Sequence, residues 1–180
     1  VNAAIGVNYI AGGTGNDTLH GGSGDDTIAG EGGGDTIYGN GGNDVLYGHD
    51  VPSGTGEDGQ PLNADDDAAD SLYGGDGDDE LYGNGGDDRL EGGNGADELS
   101  GGNGADLLIG GDGNDIIQGG GGADDLIGDM ALTNTNVSGA DTLEGGDGDD
   151  LILGDSGTIA RTNAAVTVVL ALTGRGDTMR

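Results

Sequence analysis

The sequence predicts an all-β protein built as a stack of coils made of short parallel strands. Thirteen copies of one nine-residue pattern occupy most of the 180 residues. Every copy has an aspartate at its sixth position and a leucine or isoleucine at its eighth, and most copies begin with glycine. A glycine turn, a carboxylate and one buried aliphatic side chain repeated at a constant period are typical of a solenoid with cation sites along its edges.

The sixth position is the candidate metal-binding column, because it carries the same carboxylate in every copy. Its members are Asp17, Asp26, Asp35, Asp44, Asp70, Asp79, Asp88, Asp97, Asp106, Asp115, Asp124, Asp141 and Asp150. The eighth position is the candidate core. Its members are Leu19, Ile28, Ile37, Leu46, Leu72, Leu81, Leu90, Leu99, Leu108, Ile117, Leu126, Leu143 and Ile152.

Within each copy, the last three positions are expected to form a strand whose middle residue points inward. The first six positions are expected to form a turn, in which glycines at positions one and four allow positive φ angles and close backbone approach. With two repeats per coil, each copy lies on the same edge as the second copy after it. Asp17 is therefore expected to share an ion with Asp35, Asp26 with Asp44, and Asp79 with Asp97.

The copies form one repeat region, residues 12–153, with two interruptions. Residues 48–64 contain both prolines and read as a solvated loop, and residues 128–135 form a shorter insertion. The copy at 65–73 has lost its glycines, so Asp70 is expected to be a weaker ligand.

The two ends of the chain differ from the repeats. Residues 1–11 carry no charge and are expected to form an N-terminal cap or junction. Residues 154–180 are expected to form a C-terminal β cap or an interface segment, because Val166, Val168, Leu170 and Leu172 alternate with smaller or polar neighbours. No signal peptide precedes the repeats, so Val1 is expected to begin a fragment or a processed product.

The segments GGTGNDTLH (residues 12–20) and GGDGDDELY (residues 74–82) resemble the G-G-x-G-x-D-x-U-x nonapeptide of RTX (repeats-in-toxin) proteins. The resemblance implies a right-handed parallel β-roll with calcium between successive coils. It also implies export from a Gram-negative bacterium through a type I channel, and hence an extracellular or cell-surface location.

Calcium also fits the residue types, because six to eight flexible oxygen ligands suit Ca²⁺ better than Zn²⁺ or Mg²⁺. The resemblance suggests that turn carbonyls complete the shell, and we expect about ten ions. Asp or Asn side chains at the third position are further candidate ligands: Asp76, Asn94, Asn103, Asp112 and Asp147.

Composition limits the function classes. The chain has a formal net charge of −31, 46 glycines, no Lys and no Cys, Trp or Phe, so the metal-free form is expected to be disordered. Nucleic acid and anionic membrane surfaces are excluded as partners, since Lys and Arg clusters recognise both. No apolar stretch is long enough to cross a bilayer.

No catalytic site is recognisable, so we predict that these residues are not an enzyme. Residues 154–157 (GDSG) lack the partners of a serine protease, and the integrin-type tripeptide Arg175-Gly176-Asp177 has a high chance of arising at random. Tyr38, Tyr47, Tyr73 and Tyr82 form either a cross-coil stack or an exposed contact surface.

The sequence favours a calcium-binding structural module of an exported protein that folds on binding Ca²⁺. The alternatives are a self-assembling surface filament or layer, and an adhesin module that uses the solenoid as a scaffold. Self-association or contact with adjoining domains would involve the ends of the chain.

Overall fold

A computed structural model describes residues 6–49, 68–129, 141–148 and 150–153, and the backbone of two short strands near the C-terminus. No helix occurs in these residues. The strands are β1 Tyr9–Thr14, β2 Thr18–Ser23, β3 Thr27–Gly32, β4 Thr36–Gly41, β5 Val45–Tyr47, β6 Ser71–Asp76, β7 Glu80–Gly85, β8 Arg89–Asn94, β9 Glu98–Asn103, β10 Leu107–Asp112, β11 Ile116–Gly121, β12 Asp125–Ile127, β13 Thr142–Asp147, β14 Leu151–Leu153, β15 Thr167–Val168 and β16 Thr178–Met179.

The strands form two parallel sheets, each with eight strands. The order in the first sheet is β1-β3-β5-β7-β9-β11-β13-β16, and that in the second is β15-β14-β12-β10-β8-β6-β4-β2. Consecutive strands therefore alternate between sheets, and each repeat pairs with the second repeat after it. Leu72 pairs with Leu90 and Leu108 pairs with Leu90, so equivalent positions stack directly. This confirms the parallel β-roll with two repeats per coil.

The core is a double column of eighth-position side chains between the two sheets. Twelve of them, from Leu19 to Leu143, have no exposed surface, and Ile152 is 3% exposed. Ile10 extends the column by one coil at the N-terminal end. Each strand from β1 to β14 thus buries one aliphatic side chain of this column, and neighbours within a sheet pack along the stack. β10 and β14 bury further aliphatic side chains, namely Ile109, Leu151 and Leu153.

The strands are longer than the sequence predicted. Most run for six residues, from the seventh position of one copy to the third position of the next, which leaves a turn of only three residues. The expectation of a six-residue turn was wrong because positions one to three continue the parallel pairing: Gly111 lies opposite Gly93, and Asp112 lies opposite Asn94.

The glycines have different functions at different positions. Positive φ angles occur at position four, as at Gly95 (150°), but also at position two, as at Gly93 (122°). Three non-glycine residues at position two adopt the same conformation: Glu31 (75°), Asn40 (84°) and Asn84 (78°). Position one, where positive φ was expected, has no such angle among the described residues. Its glycine is required for space, as the candidate metal site shows.

The first insertion begins one residue later than the sequence indicated. Gly48 still belongs to the coil, since its N–H donates to the Tyr82 carbonyl at 2.8 Å. Gly128 makes the equivalent hydrogen bond to the Leu153 carbonyl at 2.8 Å. Both glycines are first-position residues, and the chain departs from the coil only after them.

Strand pairing extends into parts of the N-terminal and C-terminal segments. β1 begins inside the segment 1–11 that was expected to be a cap or junction, continues into the first repeat copy, and pairs with β3 in the same register as a repeat strand. β15 pairs with β14, and β16 pairs with β13, so these two strands are the last in their sheets. The GDSG segment and the Arg175-Gly176-Asp177 tripeptide lie outside the described residues.

The ninth-position aromatic side chains form two stacks, one on the outer face of each sheet. On the second sheet, His20 stacks on Tyr38 with ring centroids 4.7 Å apart, and Tyr38 stacks on Tyr73 at 5.0 Å. On the first sheet, Tyr47 stacks on Tyr82 at 5.1 Å. The cross-coil stacking interpretation is confirmed, although the four tyrosines do not make one continuous stripe.

We expect Leu99→Ala to lower the free energy of unfolding by about 2–5 kcal/mol, because it leaves a cavity in a column that each coil fills with one side chain. The measurement is urea denaturation with saturating Ca²⁺. Glu98→Ala is the matched control, one residue earlier on the outer face and opposite Glu80, and should change stability by less than about 0.5 kcal/mol. Equal losses in the two variants would contradict the one-sided core.

Candidate metal centre

The sixth-position aspartates point into the protein at the edges of the roll. Position six is the turn residue directly before each strand, and its side chain faces inward like that of position eight, two residues later. Every column member from Asp26 to Asp150 in the described residues is buried, with exposures from 0% to 7%. Only Asp17, in the first copy, is half-buried. Buried, closely spaced carboxylates are rare in proteins without a compensating partner.

One oxygen of each carboxylate is held by the neighbouring coil. The backbone N–H of Asp79 donates to Oδ1 of Asp97 at 2.9 Å, and the N–H of Asp97 donates to Oδ1 of Asp115 at 3.0 Å. The same bond joins Asp17 to Asp35 and Asp26 to Asp44, each at 2.8 Å. The two aspartates of each pair proposed from sequence are thus neighbours on the same edge of the roll. That the two share an ion stays a prediction.

The second carboxylate oxygen is buried without a hydrogen bond. This holds for Oδ2 of eight aspartates: Asp26, Asp44, Asp79, Asp88, Asp97, Asp106, Asp115 and Asp124. A buried anionic oxygen with no partner costs several kcal/mol unless a cation or a proton reaches it.

First-position glycines make room for these oxygens. A Cβ on Gly119 would collide with Oδ2 of Asp124 and with the carbonyl oxygen of Gly145 on the next coil. Gly21 has the same relation to Asp26 and Gly39, and the arrangement recurs along both edges. Each carboxylate therefore lies beside the backbone carbonyl of a neighbouring coil, in a space that exists because the facing residue has no side chain.

These donors are all oxygens, which suits a hard cation such as Ca²⁺. In the part of the chain that the structure describes, no three His, Cys, Asp or Glu side chains gather into one group. An ion at this edge would therefore need backbone carbonyls as well as the paired carboxylates. The eight Oδ2 atoms and the adjacent carbonyls fit such an ion.

Comparison with known protein families also indicates a calcium-binding repeat. The model of the RTX calcium-binding nonapeptide repeat matches residues 3–37, 20–50, 65–99, 100–130 and 137–158, which is most of the chain. The chain belongs to this family. No curated protein matches it.

RTX repeats are calcium-binding structural units, not catalytic ones, and are typical of proteins secreted by Gram-negative bacteria. Ca²⁺ is accordingly the metal that the repeats of this chain bind. Among the described residues, no helix could span a membrane.

Burial raises the pKa of seven of these RTX aspartates from the usual 3.8: Asp44, Asp79, Asp88, Asp97, Asp106, Asp115 and Asp124. Desolvation is the largest cause, and neighbouring carboxylates add to it for most of the column, while the N–H donor of the preceding coil acts in the opposite direction. The pKa of Asp88 rises to about 8, and the pKa values of Asp44 and Asp115 rise to about 7. Burial raises the pKa values of Asp79 and Asp106 to about 6, in each case with a contribution from the next aspartate along the edge.

The copy at 65–73 keeps its place in the column. Asp70 is 5% exposed, and its Oδ1 accepts the Asp35 N–H at 2.6 Å. A Cβ on Gly48 would meet Oδ2 of Asp70, so Gly48 supplies the first-position glycine that the copy itself lacks. The insertion lies between this glycine and its aspartate. Asp70 is thus buried and accepts a backbone hydrogen bond like the rest of the column, while its weaker binding of calcium stays a prediction.

The third-position candidates lie elsewhere. Asp76, Asn94, Asn103, Asp112 and Asp147 are exposed residues at the ends of their strands. Nδ2 of Asn94 donates to Oδ1 of Asp76 at 2.6 Å, so this bond joins two successive coils. Their role as ligands stays a prediction.

Fifth-position side chains form a second ladder that sequence reasoning missed. Oδ1 of Asp78 accepts the Ala96 N–H, and Oδ1 of Asp87 accepts the Ala105 N–H, each at 2.9 Å. The recurrence of Asp, Asn or Ala at this position was a usable signal. These residues are exposed, and their hydrogen bonds fix the turns.

Asn8 was also missed, although it lies nine residues before Asp17. Its backbone N–H and Nδ2 both donate to Oδ1 of Asp26 at 2.8 Å. A neutral amide thus occupies the place of the first carboxylate on this edge. Extending the register back by one period, from Gly15 to Gly6 and from Leu19 to Ile10, would have found it.

Gly119→Ala should raise the Ca²⁺ concentration needed for folding several-fold, because the new methyl group would occupy the space of the Asp124 carboxylate and the Gly145 carbonyl. Gly121→Ala is the control on the same strand, where a Cβ would meet only Oδ1 of Asn103 at 3.6 Å. A calcium titration followed by circular dichroism measures both. Similar midpoints would show that the first-position space is not required.

Without calcium, lowering the pH from about 8 to about 5 should favour the folded form. Folded-state pKa values of about 6 to 8 lie above the unfolded value of 3.8, so the folded form binds more protons in this window. The stability that protonation contributes is greatest at low pH and is lost as the pH rises through the folded-state pKa values. Far-ultraviolet circular dichroism in chelator measures it, and less β structure at about pH 5 than at about pH 8 would contradict it.

Proposed function

We propose that this chain is a calcium-dependent folding module of an exported bacterial protein, and that it becomes ordered when it meets calcium outside the cell. The observation that carries the proposal is the column of buried Oδ2 atoms without hydrogen-bond partners. Each faces a neighbouring carbonyl oxygen at the edge of the roll. A divalent cation placed there would compensate two stacked carboxylates at once.

The ions would bind in series along the two edges. Each would lie between the carboxylates of copies that are neighbours in one sheet, such as Asp79 with Asp97 and Asp88 with Asp106, and carbonyls of the adjacent turns would complete the shell. About ten such ions would neutralise about twenty negative charges. No chemistry beyond charge compensation and crosslinking of coils is needed, which suits a module that is not an enzyme.

The expected free energies of calcium binding favour folding outside the cell. A site with a Kd of about 0.2 mM is stabilised by about 1.4 kcal/mol at about 2 mM Ca²⁺. About ten sites would contribute about 14 kcal/mol, as much as the whole stability of an ordinary domain. At submicromolar Ca²⁺ the same sites contribute almost nothing. The chain would therefore remain expanded until export.

The substitution Asp106→Asn tests whether the sixth-position aspartates bind calcium. The amide keeps the shape of the side chain and removes its charge, so the calcium midpoint of folding should rise several-fold and the number of bound ions should fall. Glu98→Gln removes one charge from the outer face and should leave the midpoint unchanged or slightly lower. Circular dichroism and equilibrium dialysis measure the two quantities. A larger effect of Glu98→Gln would contradict the proposal and would indicate general charge screening.

End-to-end association is a second candidate function. β1 is the terminal strand of the first sheet, and it carries no charged side chain. Val7 and Tyr9 beside this edge are 80% and 58% exposed. Apolar strands at the edge of a sheet pair readily with other chains. Light scattering with Ca²⁺ distinguishes the two candidates, because a monomer that persists at high concentration would exclude assembly.

A further inference from the structure

A groove runs across four strands on the outer face of the second sheet. It encloses about 480 Å³ and crosses β4, β6, β8 and β10. Its floor is bare backbone at the second-position glycines Gly75, Gly93 and Gly111. One wall is formed by ninth-position side chains and the other by third-position side chains, since both positions flank the glycine pair on the same face.

The aromatic wall ends at Tyr73. His20, Tyr38 and Tyr73 stack in that order along the coil axis. The next residue in register is Glu91, which is not aromatic, and Ile109 follows it. Tyr38 therefore covers one face of the Tyr73 ring, and no aromatic ring continues the stack on the other side, where Tyr73 and Glu91 both line the groove.

The opposite wall presents planar polar groups. Asp76, Asn94 and Asp112 follow one another at one-coil spacing, and Asn40 closes the N-terminal end. The carboxylates accept hydrogen bonds only, and the amides both donate and accept. An apolar ring face opposite a row of such groups matches a molecule with one apolar face and hydroxyl groups around its rim.

We propose that this groove is a saccharide-binding site, in which one uncharged pyranose ring stacks on Tyr73 and its hydroxyl groups bond to Asp76, Asn94 and Asp112. The apolar C–H face of the sugar would occupy the next place in the His20–Tyr38–Tyr73 stack. The pocket is shallow and partly apolar with a few convergent polar groups, as ligand sites commonly are.

Charge distinguishes this ligand class from others. Anionic polysaccharides would meet a chain with a net charge of −31. A cationic ligand would compete with existing partners at two of the groove's carboxylates, because Glu91 binds Arg89 at 2.9 Å and Asp76 accepts the Asn94 amide. An uncharged sugar avoids the repulsion and can add hydroxyl donors to the remaining lone pairs of these carboxylates.

Isothermal titration of the calcium-loaded chain with cellotetraose, laminaritetraose and tetra-N-acetylchitotetraose tests the site. We expect at least one of these uncharged probes to bind with a Kd of about 1 mM or tighter. Tyr73→Ala should weaken that binding by about tenfold, and Asp112→Ala should weaken it by a few-fold. Tyr82→Ala is the matched control, since Tyr82 has the same repeat position and an equivalent stack on the other sheet, and it should bind like the original chain.

Three results would overturn the site: no binding of any probe, equal losses in the Tyr73 and Tyr82 variants, or tighter binding of polygalacturonate than of the uncharged probes. Circular dichroism of the same samples separates this inference from the proposed folding function. If the chain folds with calcium but binds no sugar, that result contradicts the saccharide site and not the folding function. A variant that fails to fold is replaced by Tyr73→Leu, which keeps an apolar side chain without the ring and should also lose binding.

Discussion

The fold depends on a row of carboxylates that the strand geometry directs inward. Alternation along the strand places the aspartate and the aliphatic residue of each copy on the same, interior side, and the first-position glycine across the turn leaves the space that the carboxylate fills. The backbone of the preceding coil satisfies one oxygen. The other is left in a desolvated space shared with carbonyl oxygens, where only a cation or a proton can compensate it.

The rest of the molecule provides little that could replace this compensation. Most of the described strands bury a single leucine or isoleucine, and nearly every turn contains glycine, whose ordering costs more backbone entropy than that of any other residue. Aromatic stacks reinforce only the N-terminal coils. The free energy of folding is therefore the sum of small contributions between neighbouring coils of a one-dimensional stack. Calcium binding is expected to add one such contribution at every coil. With each ion shared between two coils, as we propose, such a chain is expected to respond to calcium as a whole.

The period of the sequence was enough to predict the sheets, the core column and the adjacency of Asp17 with Asp35 or Asp79 with Asp97. It was not enough to separate the functions of the glycines. Gly119 lacks a side chain because of Asp124, a contact across the turn that becomes visible only when both strands are in place. The place of Gly48 was hidden for a similar reason, since an insertion separates it from Asp70 in sequence but not in the coil.

Other features were within reach of the sequence. Tyr38 and Tyr73 belong to odd-numbered copies, and Tyr47 and Tyr82 to even-numbered ones, so the alternation of sheets already divides them into two stacks. Asn8 continues the register of Asp17 back by one period. The groove beside Tyr73 could not have been inferred, because it depends on how the bare glycine floor lies between two rows of side chains on one face.

The most direct test of the account is the hydrodynamic radius of the purified chain at about pH 7.5, measured by small-angle scattering in chelator and again in about 2 mM Ca²⁺. We expect an expanded chain without calcium and a compact rod with it, while the same concentration of Mg²⁺ leaves the chain expanded. A compact particle of the same dimensions in chelator would contradict the claim that buried carboxylates make this fold dependent on calcium.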